Sequence, residues 1–178
     1  MTSTRSSTST EVRWAVAGEL PGLAAVEVAA DGVFAQVGIT FPEGTTMIEE
    51  TDDPSRVLVA GAPPVGFAMI GWVDGLVHLD QLAVHPSHGR QGIGGRLLEA
   101  VCDHAASTGS AAVTLTTFRD VPWNGPWYAQ RGFATLDPAE WGPELTGLVA
   151  HERELGIELA PRVVMRRLLS GEATAPRI

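Results

Sequence analysis

The stretch HPSHGRQGIGGRLLEAV, His85 to Val101, decides the fold. Four glycines fall between Gly89 and Gly95, and Leu97, Leu98 and Val101 follow at once. Glycine lets a backbone close in on a ligand, and a helix start offers unpaired N–H groups and the positive end of a dipole. Such a loop suits an anion. The plainer reading is a turn that merely joins a strand to a helix. Two familiar phosphate loops match poorly. Gly89 and Gly94 have the Walker spacing, but Gly95 and Arg96 stand where that loop needs lysine and a hydroxyl. Gly92 and Gly94 begin a dinucleotide pattern, but Leu97 takes its third glycine, and AAVTLTT (Ala111 to Thr117) has no acid for a ribose. An acyl-CoA loop, whose N–H groups bind a pyrophosphate without a metal, fits better.

Outward from the loop, Leu76–Pro86 reads as a strand that Pro86 ends. Gly94–Thr108 reads as a helix closed by Gly109, and Ala111–Phe118 as the next strand. Upstream, Val12–Gly18 is strand-like, and Glu19–Val37 has helical spacing that weakens at Gly32. A short helix is expected near Glu49. Arg56–Gly61 and Val65–Val73 read as a hairpin, and Asp74-Gly75 turns into the strand already named. Downstream, a short helix spans Trp127–Arg131, a strand Gly132–Leu136, a helix Pro138–Leu155 and a last strand Arg162–Leu169. This is an α/β domain, a mixed and largely antiparallel sheet with flanking helices. One domain is expected over residues 11–170, between a Ser/Thr-rich tail at 1–10 and a loose end at 171–178.

Composition narrows the partners. The net charge of −9, with 12 basic against 21 acidic residues, speaks against nucleic acid. No apolar run is read as a membrane span of ~18 residues, and the N-terminus lacks a signal core. A cytoplasmic protein is expected. Cys102, the one cysteine, reads as buried packing. No zinc pattern appears, so no metal is expected.

The loop has company. LAVHPSHGRQGIGGRLLEAV (Leu82 to Val101) resembles the central motif of the GNAT superfamily, the Gcn5-related N-acetyltransferases. That motif runs L-x-V-x-P, a short spacer, [QR]-x-x-G-x-[GA] and a helix. YAQRGF (Tyr128 to Phe133) resembles the superfamily's second signature, Y-x-x-x-G-F. Two positions depart from the pattern: Gly89 replaces the first Gln or Arg, and Val121 replaces a frequent Asn. The resemblance implies acetyl-CoA as co-substrate. It implies main-chain contacts from Leu82, Ala83 and Val84 to the pantetheine arm and thioester. Arg90, Gln91, Gly92, Ile93, Gly94 and Gly95 would cradle the pyrophosphate, and Tyr128 would protonate the departing thiolate. Asn124 would reach the pantetheine or cap the short helix.

Acetylation of an amine also needs a base. Strict alternation puts His78, Asp80, Leu82 and Val84 on one strand face and Leu79, Gln81, Ala83 and His85 on the other. Members similar to the histone type carry Glu at the place of His78. Those similar to the arylalkylamine type carry His at the places of both His78 and Asp80. His78 is therefore the first candidate base, with Asp80 orienting it or taking the role itself; a solvated edge pair is the plain alternative. His85, His88, His104 and His151 read as surface residues. On the acceptor side stand Glu49 and Glu50, which would attract a cation, and Trp123 and Trp127, as core packing or an aromatic wall. The helix Pro138–Leu155 would cover the acceptor pocket or join two copies in a homodimer. The expected activity is direct acetyl transfer to a primary amine, small-molecule rather than peptide. A non-catalytic acyl-CoA sensor is the alternative.

Overall fold

The computed structural model describes residues 10–44 and 46–169. Apart from Thr10, the two expected tails lie outside these residues. In chain order come β1 (Val12–Trp14), α1 (Leu20–Asp31), β2 (Val57–Ala60), β3 (Gly66–Val73), β4 (Leu76–Val84) and α2 (Ile93–Ser107). Then follow β5 (Ala112–Phe118), α3 (Gly125–Ala129), β6 (Ala134–Thr135), α4 (Pro143–Glu154) and β7 (Arg162–Leu168). The strands form one sheet in the order β1-β2-β3-β4-β5-β7-β6. Only β4 and β5 run parallel, because α2 carries the chain across between them.

Several boundaries differ from the sequence reading for local reasons. Past Asp31 the chain tightens into a 3₁₀ turn, Gly32–Val37, where glycine had weakened the pattern. The helix expected from Pro138 starts at Pro143, since Pro138–Glu140 forms its own turn and proline favours a first helical position. Proline likewise starts α3 earlier, with Pro126 in its first turn. The strand expected at Gly132–Leu136 shrinks to two residues. The segment Ala17–Val37, 21 residues long, does meet the length and composition of a membrane span, with mean hydropathy 1.3 over an 18-residue window, contrary to the sequence reading. Here its Leu20, Leu23 and Val26 pack against the sheet.

Two layers of helix cover the sheet. On one face, Leu97, Leu98, Val101 and Ala105 of α2 bury against Ala68, Ile70, Val77, Leu79, Val113 and Leu115. Burying each such leucine or valine stabilises by about 1.5–3 kcal/mol. Cys102 belongs to this layer, and burial pushes its thiol up to about 11. His104, expected at the surface, is half-buried with its ring 4.8 Å from that of Trp14. On the other face, α1 packs on Val57, Val59, Phe67, Met69 and Ala83. Beside it, Leu145, Leu148 and Val149 of α4 pack on Val73 and Val164. The apolar side of α4 thus covers the chain's own sheet.

Strict alternation fails along β4. Met69 pairs with Gln81 and Ile70 with Leu79, so Asp80 is an extra residue, a β-bulge. His78 and Asp80 do share the face of α1 and α4. Leu82 and Val84, expected beside them, instead pack with the α2 layer, and Gln81 turns toward α1.

Candidate active site

The bulge sits where the sheet opens. Parallel pairing of β4 with β5 covers only Val77–Leu79 against Val113–Leu115. Beyond it, β4 stays paired with β3 and β5 with β7, while the two edges facing each other have no strand partner. A cleft of about 780 Å³ runs from this gap between α1, the loop after it and the C-terminal end of α4. Leu82 opens onto it, and its N–H donates to Gln81 Oε1 at 2.9 Å. Gln81 Nε2 in turn donates to Glu27 Oε1 at 3.0 Å. Ala83 and Val84 lie further along the unpaired edge, their side chains in opposite layers.

At one end of the gap lies the glycine loop. Arg90 and Gly92 take left-handed backbone at φ 59° and 74°, and α2 starts at Ile93. The N–H groups of its first turn, Ile93 to Gly95, lack helical partners as in any helix. Gln91, Gly92 and Gly95 border a groove that also holds Arg96 and Arg131. Arg131 stacks 3.8 Å above the Trp127 ring and donates to the Trp127 carbonyl at 3.1 Å. Trp127 also meets the position a Cβ of Gly94 would occupy, at 3.7 Å. Trp127 thus packs beside the glycine loop and does not line the cleft. Arg131 was missed in the sequence, although it stands inside YAQRGF.

Tyr128 projects from α3 into the cleft. It is 7% exposed, packed edge-to-face on Trp127 and Phe133 at 5.0 and 5.6 Å. Burial pushes its phenol above the ordinary range, and no described residue hydrogen-bonds its hydroxyl. Asn124 does not cap α3 through its side chain. Its Nδ2 donates to Thr117 Oγ1 on β5 at 2.8 Å, and its buried Oδ1 has no partner among the described residues.

The two base candidates part company. His78 is 2% exposed, flanked by Gly71 on β3 and Thr114 on β5, and its Nδ1 lies 2.8 Å from Thr114 Oγ1. Burial pushes the imidazole down to about 4, and the ring lies outside the cleft lining. Asp80 lines the cleft. Burial pushes its carboxyl up to about 6, against the opposing pull of Arg56, whose guanidinium donates at 3.0 Å. Room for this carboxylate comes from Gly71, where any Cβ would stand 2.8 Å from Asp80 Oδ2.

The acceptor candidates divide likewise. Glu49 caps its own 3₁₀ turn by accepting from Thr46 N and Oγ1, and Glu50 is the neighbour that lines the cleft. Trp123 packs 5.6 Å from Phe34, which lines the cleft in front of it. Glu27, unmarked in the sequence reading, is 2% exposed and accepts from Met47 N, Ile48 N and Gln81. It ties α1 to the loop and to β4. Its signal was a charge on a buried stripe, seven residues after Leu20. Among the described residues, no group of three or more His, Cys, Asp or Glu is placed to hold a metal.

The model of the acetyltransferase (GNAT) family matches residues 34–133. N-acetylglutamate synthase from Neisseria gonorrhoeae, solved with coenzyme A and N-acetylglutamate, is similar at TM-score 0.67 and 22% identity over 90% of this chain. This chain spans 35% of that protein's length. The ribosomal-protein-S18-alanine N-acetyltransferase from Escherichia coli is similar at TM-score 0.66 and 17% identity, covering 94% of this chain and 99% of that one. The PaiA N-acetyltransferase from Thermoplasma acidophilum, solved with coenzyme A, reaches TM-score 0.61 at 17% identity over 89% of this chain and 98% of that one. At such identities the likeness is one of fold, and the family match spans the glycine loop and both strands of the gap. The chain belongs to the GNAT family of acetyltransferases.

Proposed function

We propose that the protein transfers the acetyl group of acetyl-CoA directly to a primary amine. One observation carries the reading: Asp80 and Tyr128 line one cleft at the point where β4 and β5 separate. The pantetheine arm would lie along the unpaired edge of Leu82–Val84. Its pyrophosphate would meet the N–H groups of Gly92 to Gly95, with Arg131 adding charge. The amine enters as an ammonium and gives its proton to Asp80, directly or through water. A carboxyl held at about 6 is ionised at neutral pH and is a stronger base than an ordinary aspartate. The nitrogen then attacks the thioester carbon. The oxyanion is taken by the Leu82 N–H, which the Gln81 side-chain Oε1 must first release. The C–S bond breaks as Tyr128 gives its proton to the sulfur, and the proton that the new amide nitrogen sheds returns to the phenolate through water. A phenol whose burial disfavours the phenolate stays protonated until that step. Arg56 holds Asp80 in place and touches no substrate in this scheme. A cytoplasmic site of action follows from the supply of acetyl-CoA.

Calorimetric titration with acetyl-CoA, followed by thiol release across an amine panel, tests the reading. Gly94→Glu puts a carboxylate at the pyrophosphate and is expected to weaken binding by about 10²-fold or more. Tyr128→Phe is expected to lower kcat by about 10²-fold while acetyl-CoA still binds. Binding without turnover on any amine would turn the reading into a coenzyme sensor.

A further inference from the structure

The acceptor end of the cleft carries a charge imbalance that acetyl transfer alone does not explain. Asp80 is paired with Arg56, and Glu152 with Arg162 at 3.4 Å. Arg162 is the one arginine among the described residues that line the cleft, and the chain has no lysine. Asp31, Glu43 and Glu50 line the same cavity without an ion-pair partner among the described residues. Burial and the charge of Glu27 push the Asp31 carboxyl up to about 6, the mark of a carboxylate with nothing to offset it. Low-dielectric walls focus this field into the cavity, so a cation gains there and a second carboxylate loses. Carboxylates alone do not make a site, but the reacting end is fixed separately. The Tyr128 hydroxyl, on a side chain 7% exposed, opens into the same cavity with no hydrogen-bond partner among the described residues. The wall between is aromatic: Phe34 lies 5.3 Å from Phe41 and 5.5 Å from Phe118. Such a wall suits methylene chains and cations together.

Resting on the transfer reaction proposed above, we infer that the acceptor is an alkyl polyamine. One primary amine reaches Asp80 and Tyr128, methylenes cross the phenylalanines, and at least one further ammonium sits at Asp31, Glu43 and Glu50. The amine that reacts first loses a proton to Asp80; its nitrogen then bonds the acetyl carbon, and CoA leaves as the thiol that Tyr128 protonates. The distal ammonium keeps its charge and does no chemistry.

The test compares kcat/KM for n-butylamine, putrescine, spermidine, glutamate and an arginine-rich tetrapeptide, all with acetyl-CoA. Spermidine is expected to exceed n-butylamine by about tenfold or more, and glutamate to react least. The preference should shrink in roughly 0.5 M NaCl, which screens the field. It should also fall toward unity in Asp31→Asn and, less steeply, in Glu50→Gln. Equal rates for spermidine and n-butylamine overturn the polyamine and leave acetyl transfer standing. So does a preference for glutamate or for the tetrapeptide. Acetyl-CoA binding with no turnover on any of the five also overturns it. Failure to bind acetyl-CoA is a different result, and it removes the transfer reaction first.

Discussion

The two halves of β4 differ in pairing and in what they do with a polar residue. From Val77 to Leu79 the strand is paired on both edges, and the polar residue it carries, His78, is sealed. From Asp80 onward it is paired on one edge only, and its polar residues face the cleft. His78 and Asp80 are two positions apart on one face, yet burial acts on them to opposite effect. It takes the imidazole down to about 4, so the ring stays neutral at working pH. It takes the carboxyl up to about 6, into the range where a base is useful. A closed sheet turns a histidine into packing, and one inserted residue turns an aspartate into a candidate base.

Exchanging the roles should break that comparison. Asp80→Asn is expected to lower kcat/KM by about 10²-fold or more, with the acidic limb near pH 6 lost from its pH profile. The sign is that of a base: wild-type activity falls as pH drops through about 6, because Asp80 takes up a proton. His78→Leu should act on the other axis. It strands the Thr114 hydroxyl and is expected to cost about 1–3 kcal/mol of stability in a urea melt. Its kcat at 20 °C or so should stay within about threefold of wild type. A hundredfold loss in His78→Leu would return the base to the histidine.

Gly71→Ala probes the same contrast from the neighbouring strand. Its Cβ would stand 2.8 Å from Asp80 Oδ2 and 3.3 Å from the Arg56 guanidinium, so carboxylate and partner must both give way. About a tenfold drop in kcat is expected for an Ångström-scale displacement. The acidic limb should move below 6 as the carboxyl gains water. An unchanged limb would mean that Asp80 does not set it.

The order of elements along the chain and the loop were legible because their signals are local. A glycine-dense helix start after a strand implies a crossover, and YAQRGF lies within one turn of the side chain it marks. The bulge was not legible. Alternation assumes one residue opposite one, and an inserted residue leaves no trace in composition. Gly71 was its only partner in sequence, and a lone glycine in a strand has several meanings. That error put Leu82 and Val84 on the face of His78, and it made Asp80 look like the histidine's helper. Glu49 and Glu50 were separated only by the turn that Glu49 caps, a contact that depends on Thr46 and on no pattern of charge. Arg162 and Glu152 meet Thr116 through elements far apart in the chain, so spacing carried no hint of them.

The smallest expected effect concerns how the cleft keeps its far wall. Asp74 and Gly75, at φ 51° and 75°, make the two-residue turn between β3 and β4. The Asp74 carboxylate accepts from the N–H groups of Glu144 and Leu145, and the Glu144 carboxylate accepts from Asp74 N. A hairpin turn thereby caps α4 from outside, while the last turns of α4 bring Glu152 and Leu155 to the cleft. Asp74→Ala is expected to cost about 1–2 kcal/mol, since it removes a cap. Hydrogen exchange should then speed up in α4 before the sheet. If the cleft takes the amine as proposed, α4 lines its acceptor end and not the reacting atoms, so KM for the amine should rise while kcat holds. Asp74→Asn keeps an acceptor oxygen and tolerates left-handed backbone, so it should recover most of both. An equal loss of kcat in the two variants would mean that the cap reaches the chemistry through the hairpin, along β4 and into the bulge itself.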